Sequence, residues 1–147
     1  MLGYKFGRKS KQRLLEVDKD LQFLCTEAIK IIDFSVVEGH RGEKRQNQLL
    51  VAKATKKKWP NSKHNKLPSE AVDVYPYPVI IPDKKNQKKL EFMQAWARFY
   101  HLIGIIKGIA YSNNIQIRCG LDWNCDGNIL NDGKFIDAPH IEIILEK

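Results

Sequence analysis

The chain has 147 residues and a formal charge of +8, a length that suits one domain and buries a core without covalent staples. Its apolar fraction of 43% and charged fraction of 29% exclude a disordered chain, and no apolar run approaches a membrane span. Three cysteines, Cys25, Cys119 and Cys125, with no C-x-x-C spacing, argue against a disulfide framework and a cysteine zinc finger.

Met1 to Ser10 carries charge but lacks the apolar stretch of a secretory signal, so the chain is expected to stay where it is made. From Ser10 to Asp33, Leu14, Val17, Leu21, Leu24, Ala28 and Ile32 recur at helical spacing, with Cys25 on the same apolar face; this predicts one amphipathic helix. Phe34 to Glu38 is short and β-branched and predicts a strand. A turn at Gly39 to Gly42 and a helix from Glu43 to about Lys56 follow. Lys57 to Ser69, polar and with two prolines, predicts a loop. Ala71 to Tyr75 predicts a strand that Pro76 and Pro78 end or confine to a sheet edge.

Lys88 to about Lys107 predicts the core helix, with Leu90, Met93, Ala97, Tyr100 and Ile103 on its buried face and Gly104 and Gly108 weakening its end. Ile115 to Arg118 predicts a third strand, Gly120 to Ala138 a long loop, and His140 to Leu145 the last strand. The later strands have no helical crossovers between them. That predicts an α+β fold, a small and mainly antiparallel sheet packed by helices, in a single domain over residues 1–147.

The charge is uneven. Lys5 to Lys19, Lys53 to Lys66 and Lys84 to Lys89 are basic, and Asp122 to Asp137 is acidic. A basic body suits polyanions such as nucleic acid, anionic lipid or the anionic polymers of a bacterial envelope; a merely solvated lysine-rich surface is an equal reading. Lys53 to Lys66 with Trp59 has the composition of a nucleic-acid patch, but no nucleic-acid-binding signature accompanies it, and a solvated loop is the better default.

Three residues near strand ends carry the candidate chemistry. His64 enters the second strand, Asp73 lies inside it, and His140 opens the last. Two imidazoles and a carboxylate, with one position open to water, is the pattern of a catalytic zinc site. Asp73 is the most informative, because a carboxylate between Val72 and Val74 is costly unless a metal or an arginine compensates it. Asp137, three residues before His140 in D-A-P-H, is placed to act as general base and then as acid to a leaving amine. Glu142 is its rival: strand alternation puts it on the His140 face, where it could instead hold a ligand in place.

Asp122, Asn124, Asp126 and Gly127 match the start of a calcium loop, but the twelfth position, where a bidentate Glu belongs, is Gly133. A turn rich in Asp and Asn is an equal reading; Asp132 is a further candidate ligand. Trp123 reads as core or cleft wall, and Tyr75 and Tyr77 as packing residues before substrate contacts.

The segments V-V-E-G-H-R (Val36 to Arg41), S-K-H-N-K-L-P-S-E-A-V-D-V-Y-P-Y-P (Ser62 to Pro78), G-L-D-W-N-C-D-G (Gly120 to Gly127) and D-A-P-H-I-E-I (Asp137 to Ile143) resemble, in the same order, the bacteriophage endolysins of the L-alanyl-D-glutamate peptidase type. These belong to the zinc D-Ala-D-Ala carboxypeptidase superfamily, whose fold the hedgehog signalling domain shares. The resemblance covers about Phe34 to Leu145. It implies that His64, Asp73 and His140 ligate zinc, that Asp137 is the catalytic base, and that Arg41 contacts the substrate or the oxyanion. Gln46 and Ser62 are implied to line the same cleft. His64 to Asp73 is two residues longer than in the shorter family form, and His40 stands where Tyr is common.

The implied activity is hydrolysis of the L-Ala–D-Glu bond of peptidoglycan during host lysis, by a monomer held in the host cytoplasm until then. It needs no nucleic acid and no membrane insertion, and anionic wall polymers are candidate partners. Some relatives respond to calcium. The alternatives are a D-Ala-D-Ala carboxypeptidase or dipeptidase with the same metal site, and a non-catalytic zinc-stabilised binding module.

Overall fold

A computed structural model describes residues 3–130 and 135–145. In chain order the elements are α1 (Arg8–Leu14), α2 (Lys19–Ala28), β1 (Phe34–Glu38), α3 (Glu43–Val51), a 3-10 turn (Lys63–Asn65), β2 (Ala71–Pro76), α4 (Lys89–Ser112), β3 (Ile117–Cys119) and β4 (His140–Ile143). The fold is α+β, with strand order β1-β2-β4-β3 and every pairing antiparallel.

The sheet alternates as its sequence does. Val72 faces Ile141 across the β2–β4 ladder, and Val36 faces Val74 across β1–β2; these side chains enter the core with Leu21, Leu24, Phe99, Leu102 and Ile106. The intervening residues point away from it. Asp73 pairs with His140, Ala71 with Glu142, and Arg118 with Glu142. One face of the sheet is therefore apolar and the other carries the ionisable groups.

Several elements depart from the sequence expectation. The single helix over Ser10 to Asp33 is two helices. Asp18 caps α2 by accepting from the Asp20 N–H, and the Asp18 N–H bonds the Ser69 carbonyl at 2.8 Å. Val17 forms a bridge to Ser69 and stays buried, so the apolar spacing survives the break. The helix after Gly42 stops at Val51, short of Lys56. Pro76 ends β2, which is an inner strand and not an edge. β3 sits two residues later than expected at its start.

The core helix α4 runs past Gly104 and Gly108, both exposed, to Ser112. It buries Ala95, Phe99, Leu102, Ile103, Ile106 and Ala110. Leu90, Met93 and Ala97, expected inside, are exposed. The apolar residues of α4 spread over more than one face, and its first turns flank a groove with Ile80 and Gln87, so the sheet takes the later stripe.

Candidate active site

β2 and β4 lie side by side, so the Asp73–His140 register brings these two side chains together. The third partner comes from the loop between α3 and β2, where Lys63–Asn65 forms a 3-10 turn. The Ser62 side chain caps it by accepting from the His64 N–H, and Asn65 reaches back to the Ser62 N–H at 3.0 Å. Arg41 N–H donates to the His64 carbonyl at 2.7 Å, which ties the turn to the end of β1.

His64 Nε2, His140 Nδ1 and Asp73 Oδ1 then form a nearly equilateral triangle. The His–His edge is 3.3 Å, the His64–Asp73 edge 3.3 Å and the His140–Asp73 edge 3.2 Å. A tetrahedral ion with bonds of about 2.0 Å has ligand–ligand edges of about 3.3 Å. The three atoms fit such an ion with a fourth position left over, and they are the one such group among the described residues.

The other nitrogen of each imidazole is occupied. His64 Nδ1 lies 2.8 Å from the Gly39 carbonyl, and His140 Nε2 lies 2.9 Å from Glu142 Oε2. These partners orient both rings with a ligating nitrogen toward the triangle. Glu142 is itself fixed: its Oε1 accepts from Arg118 Nε at 2.9 Å and from Arg118 Nη2.

The electrostatics follow. Burial opposes ionisation of Asp73, but the charge of His64 and hydrogen bonds from both histidines win and hold its carboxyl well below the usual range. Burial also disfavours charged His140, yet its bonds to Asp73 and Glu142 lift it to about 9 in the metal-free protein. Glu142 is pulled down to about 2 against its own burial, by hydrogen bonds from His140 and Arg118. Asp137 moves the other way. Burial and then the Asp73 charge raise it, against the pull of His140, His64 and Arg41.

The two carboxylates that are candidates for the base differ in their surroundings. Glu142 is 2% exposed, with both oxygens engaged. Asp137 lines the cleft with a raised pKa, which suits proton exchange. Its backbone is clamped: Asp137 N–H donates to the Gly120 carbonyl at 2.9 Å, and His140 N–H to the Asp137 carbonyl at 3.0 Å. A Cβ at Gly120 would stand 2.0 Å from the Asp137 carbonyl oxygen, so only glycine allows this approach.

Arg41 is buried beside the triangle. Its Nη2 is 3.7 Å from Asp73 Oδ2, its Nη1 donates to Gln46 Oε1 at 3.2 Å, and its Nε lies 3.6 Å from Glu38. Ser62 lines the cleft as well as capping the turn. Gln46 corrects the expectation of a cleft-lining residue. It is fully buried behind Arg41, bonded to Arg41, Asn65 and the Lys57 carbonyl, where it holds the guanidinium in place.

The calcium reading meets a different occupant. Asp122 is buried and its Oδ2 bonds Lys107 Nζ at 2.5 Å and the Gly127 N–H at 3.2 Å. Asn124 and Asp126 are exposed and accept from backbone N–H groups two residues on. This is a turn built on short polar side chains, with an ammonium already on its one buried carboxylate. Asp132 and Gly133 lie outside the described residues. Trp123 is cleft wall, with its ring 5.5 Å from His140 and stacked on Phe135. Tyr75 packs edge-on to Phe99, and Tyr77 is exposed. Cys25 and Cys119 are buried, with thiols pushed up to about 12 by burial, and no disulfide joins the three cysteines among the described residues.

Sequence reasoning missed Glu38, Asn65, Arg118 and Gly39. Asn65 adjoins His64 and Glu38 precedes the Gly-His-Arg turn, so proximity to the motifs was the available signal; Arg118 needed the β3–β4 register.

An open ligand triangle, an adjacent carboxylate that can exchange a proton and a buried guanidinium describe a metal-dependent hydrolase of the amide-cleaving kind. The sequence profile of the phage L-alanyl-D-glutamate peptidases matches residues 2–144, and the chain belongs to that family. Peptidoglycan is the substrate class this implies. The fold is similar to the crystal structure of the Serratia marcescens L-Ala D-Glu endopeptidase ChiX, with a TM-score of 0.67 and 22% identity over 95% of this chain and 90% of that one. No protein with a curated description matches the chain.

Proposed function

We propose that the metal is zinc, held by His64, Asp73 and His140, and that the site cuts the L-Ala–D-Glu amide of the peptidoglycan stem peptide. The ligand triangle, with edges of 3.2 to 3.3 Å, carries this reading. Two imidazoles and one carboxylate suit zinc. Bound there, zinc supplies a Lewis acid that polarises the scissile carbonyl and acidifies water.

The chain's own residues do the rest. Asp137 takes a proton from the attacking water and returns it to the departing amine of D-Glu. Arg41, held by Gln46, faces the charge that develops on the carbonyl oxygen. Gly39 and Glu142 hold the imidazoles in their ligating orientation. Calcium has no part in the proposal: Asp122 Oδ2 already holds the Lys107 ammonium, and Asn124 and Asp126 spend side-chain oxygens on backbone N–H groups. The reading includes a monomer, made in the host cytoplasm and reaching the wall when the membrane opens, whose basic surface favours anionic wall polymers over nucleic acid.

Digestion of purified peptidoglycan, with and without a chelator, tests the reading by mass spectrometry of the new termini. Chelator-sensitive appearance of N-terminal D-Glu is expected. New terminal D-Ala would move the cut to another bond, and no new terminus with zinc present would overturn the peptidase reading.

A further inference from the structure

We propose that Arg45, Lys56 and Lys57 form a subsite for the free α-carboxylate of the D-Glu residue on the leaving side of the scissile bond. The inference rests on the L-Ala–D-Glu reading above. In the stem peptide, D-Glu joins the next residue through its γ-carboxyl. Its α-carboxylate therefore stays free, on the carbon that bears the scissile nitrogen, unless the wall amidates it.

The cleft, of about 710 Å³, is asymmetric in charge. On the α3 side, Arg45, Lys56 and Lys57 line it beside Arg41. Glu38 is the acidic residue there outside the triangle, and two guanidiniums share it: Arg41 at 3.6 Å and Arg45 at 3.4 Å. Lys56 and Lys57 are exposed and have no carboxylate partner among the described residues. By contrast, Lys63 on the same rim is taken by Glu70 at 2.6 Å.

The wall toward β3 is built differently. Trp123 and Phe135 stack there with ring centroids 5.8 Å apart, and Glu142 below them is neutralised by Arg118 and His140. A peptide laid across the triangle meets uncompensated positive charge on one side only. A carboxylate next to the leaving nitrogen finds its partners there, while the acyl side runs toward Trp123. Charge-assisted contacts of this kind discriminate a carboxylate from its amide, which presents neither the charge nor the second acceptor oxygen.

The test uses two synthetic stem peptides that differ only at D-Glu, as free α-carboxylate or α-amide. kcat/KM is measured for the zinc-loaded protein and for the Arg45→Gln/Lys56→Gln/Lys57→Gln variant. The wild type is expected to favour the free acid by about tenfold or more, and the variant to cut the two within about twofold of each other. Zinc content and thermal melting of the variant check its fold. Should the triple variant not fold, Arg45→Gln alone is expected to lower the ratio about twofold, the cube root of about ten for one cation in three. Equal rates in the wild type, or a ratio that survives substitution, would overturn the subsite. Cleavage of neither peptide is a separate result that overturns the peptidase reading beneath it.

Discussion

Each imidazole of the triangle gives one nitrogen to an anchoring partner and turns the other toward Asp73, where it could ligate a metal. His64 is anchored by a backbone carbonyl and His140 by a carboxylate that Arg118 fixes in turn. Asp137 shares no such bond, and its raised pKa separates it from Glu142. Asp137→Ala should therefore keep the metal and lose turnover by about 10²–10⁴-fold. Glu142→Gln should weaken metal binding by about 10–100-fold, as loss of an orienting partner does. Metal content and kcat measured on the same preparations check both, and a Glu142 variant with full metal and no turnover would reverse the assignment. The His140 shift sets the pH response. His140 holds a proton up to about 9 when no metal is bound, and a ligating nitrogen must be deprotonated. Zinc affinity should rise with pH and level off above that value. The metal-free protein has the opposite sign. Its folded pKa is raised, so the stabilisation is full below the ordinary histidine value near 6.5 and is lost as pH rises through about 9. Calorimetric titration and thermal melts across this range would expose a flat response, which the account excludes.

At the scale of elements, strand register does most of the assembly. Asp73 opposite His140 follows from β2–β4 pairing, and alternation sends both away from the core. That much was legible, because Val72-Asp73-Val74 and His140-Ile141-Glu142 state their alternation in the sequence. The helices were harder to read. α4 has apolar residues on several faces, and the choice of Phe99 and Ile106 over Leu90 and Met93 depends on where the sheet lies. The break at Val17 to Asp18 depends on Ser69, some fifty residues away, which no local spacing reveals. For Gln46 the family resemblance implies a cleft position, and its burial comes from the Lys57 carbonyl and Asn65, partners that only the fold brings behind it. Gly120 gives a test at this scale. Gly120→Ala forces the Asp137 segment off β3, and turnover should fall at least about tenfold with the metal retained, alongside a lower melting temperature. Unchanged kinetics would show that the close approach does not position Asp137.

For the whole molecule, the formal charge of +8 suits a polyanionic partner such as the anionic polymers of the proposed wall target. Hydrolysis of intact sacculi should fall as salt rises from about 0.05 to 0.5 M, more steeply than hydrolysis of a short stem peptide, because screening weakens long-range attraction first. Equal salt sensitivity would assign the charge to solubility alone. The ordered motifs made the metal triangle and the family legible, whereas the cation side of the cleft required the fold, since α3 and the segment after it meet β2 only in three dimensions. The central claim is that one metal ion at His64, Asp73 and His140 supports the reaction. Stepwise zinc addition to the chelator-stripped protein, with bound metal and peptidoglycan hydrolysis read in parallel, tests it most directly. Hydrolysis should rise from near zero and saturate at one equivalent, with His64→Ala showing neither binding nor activity. Full hydrolysis by the stripped protein, or one-equivalent binding that survives His64→Ala, would contradict it.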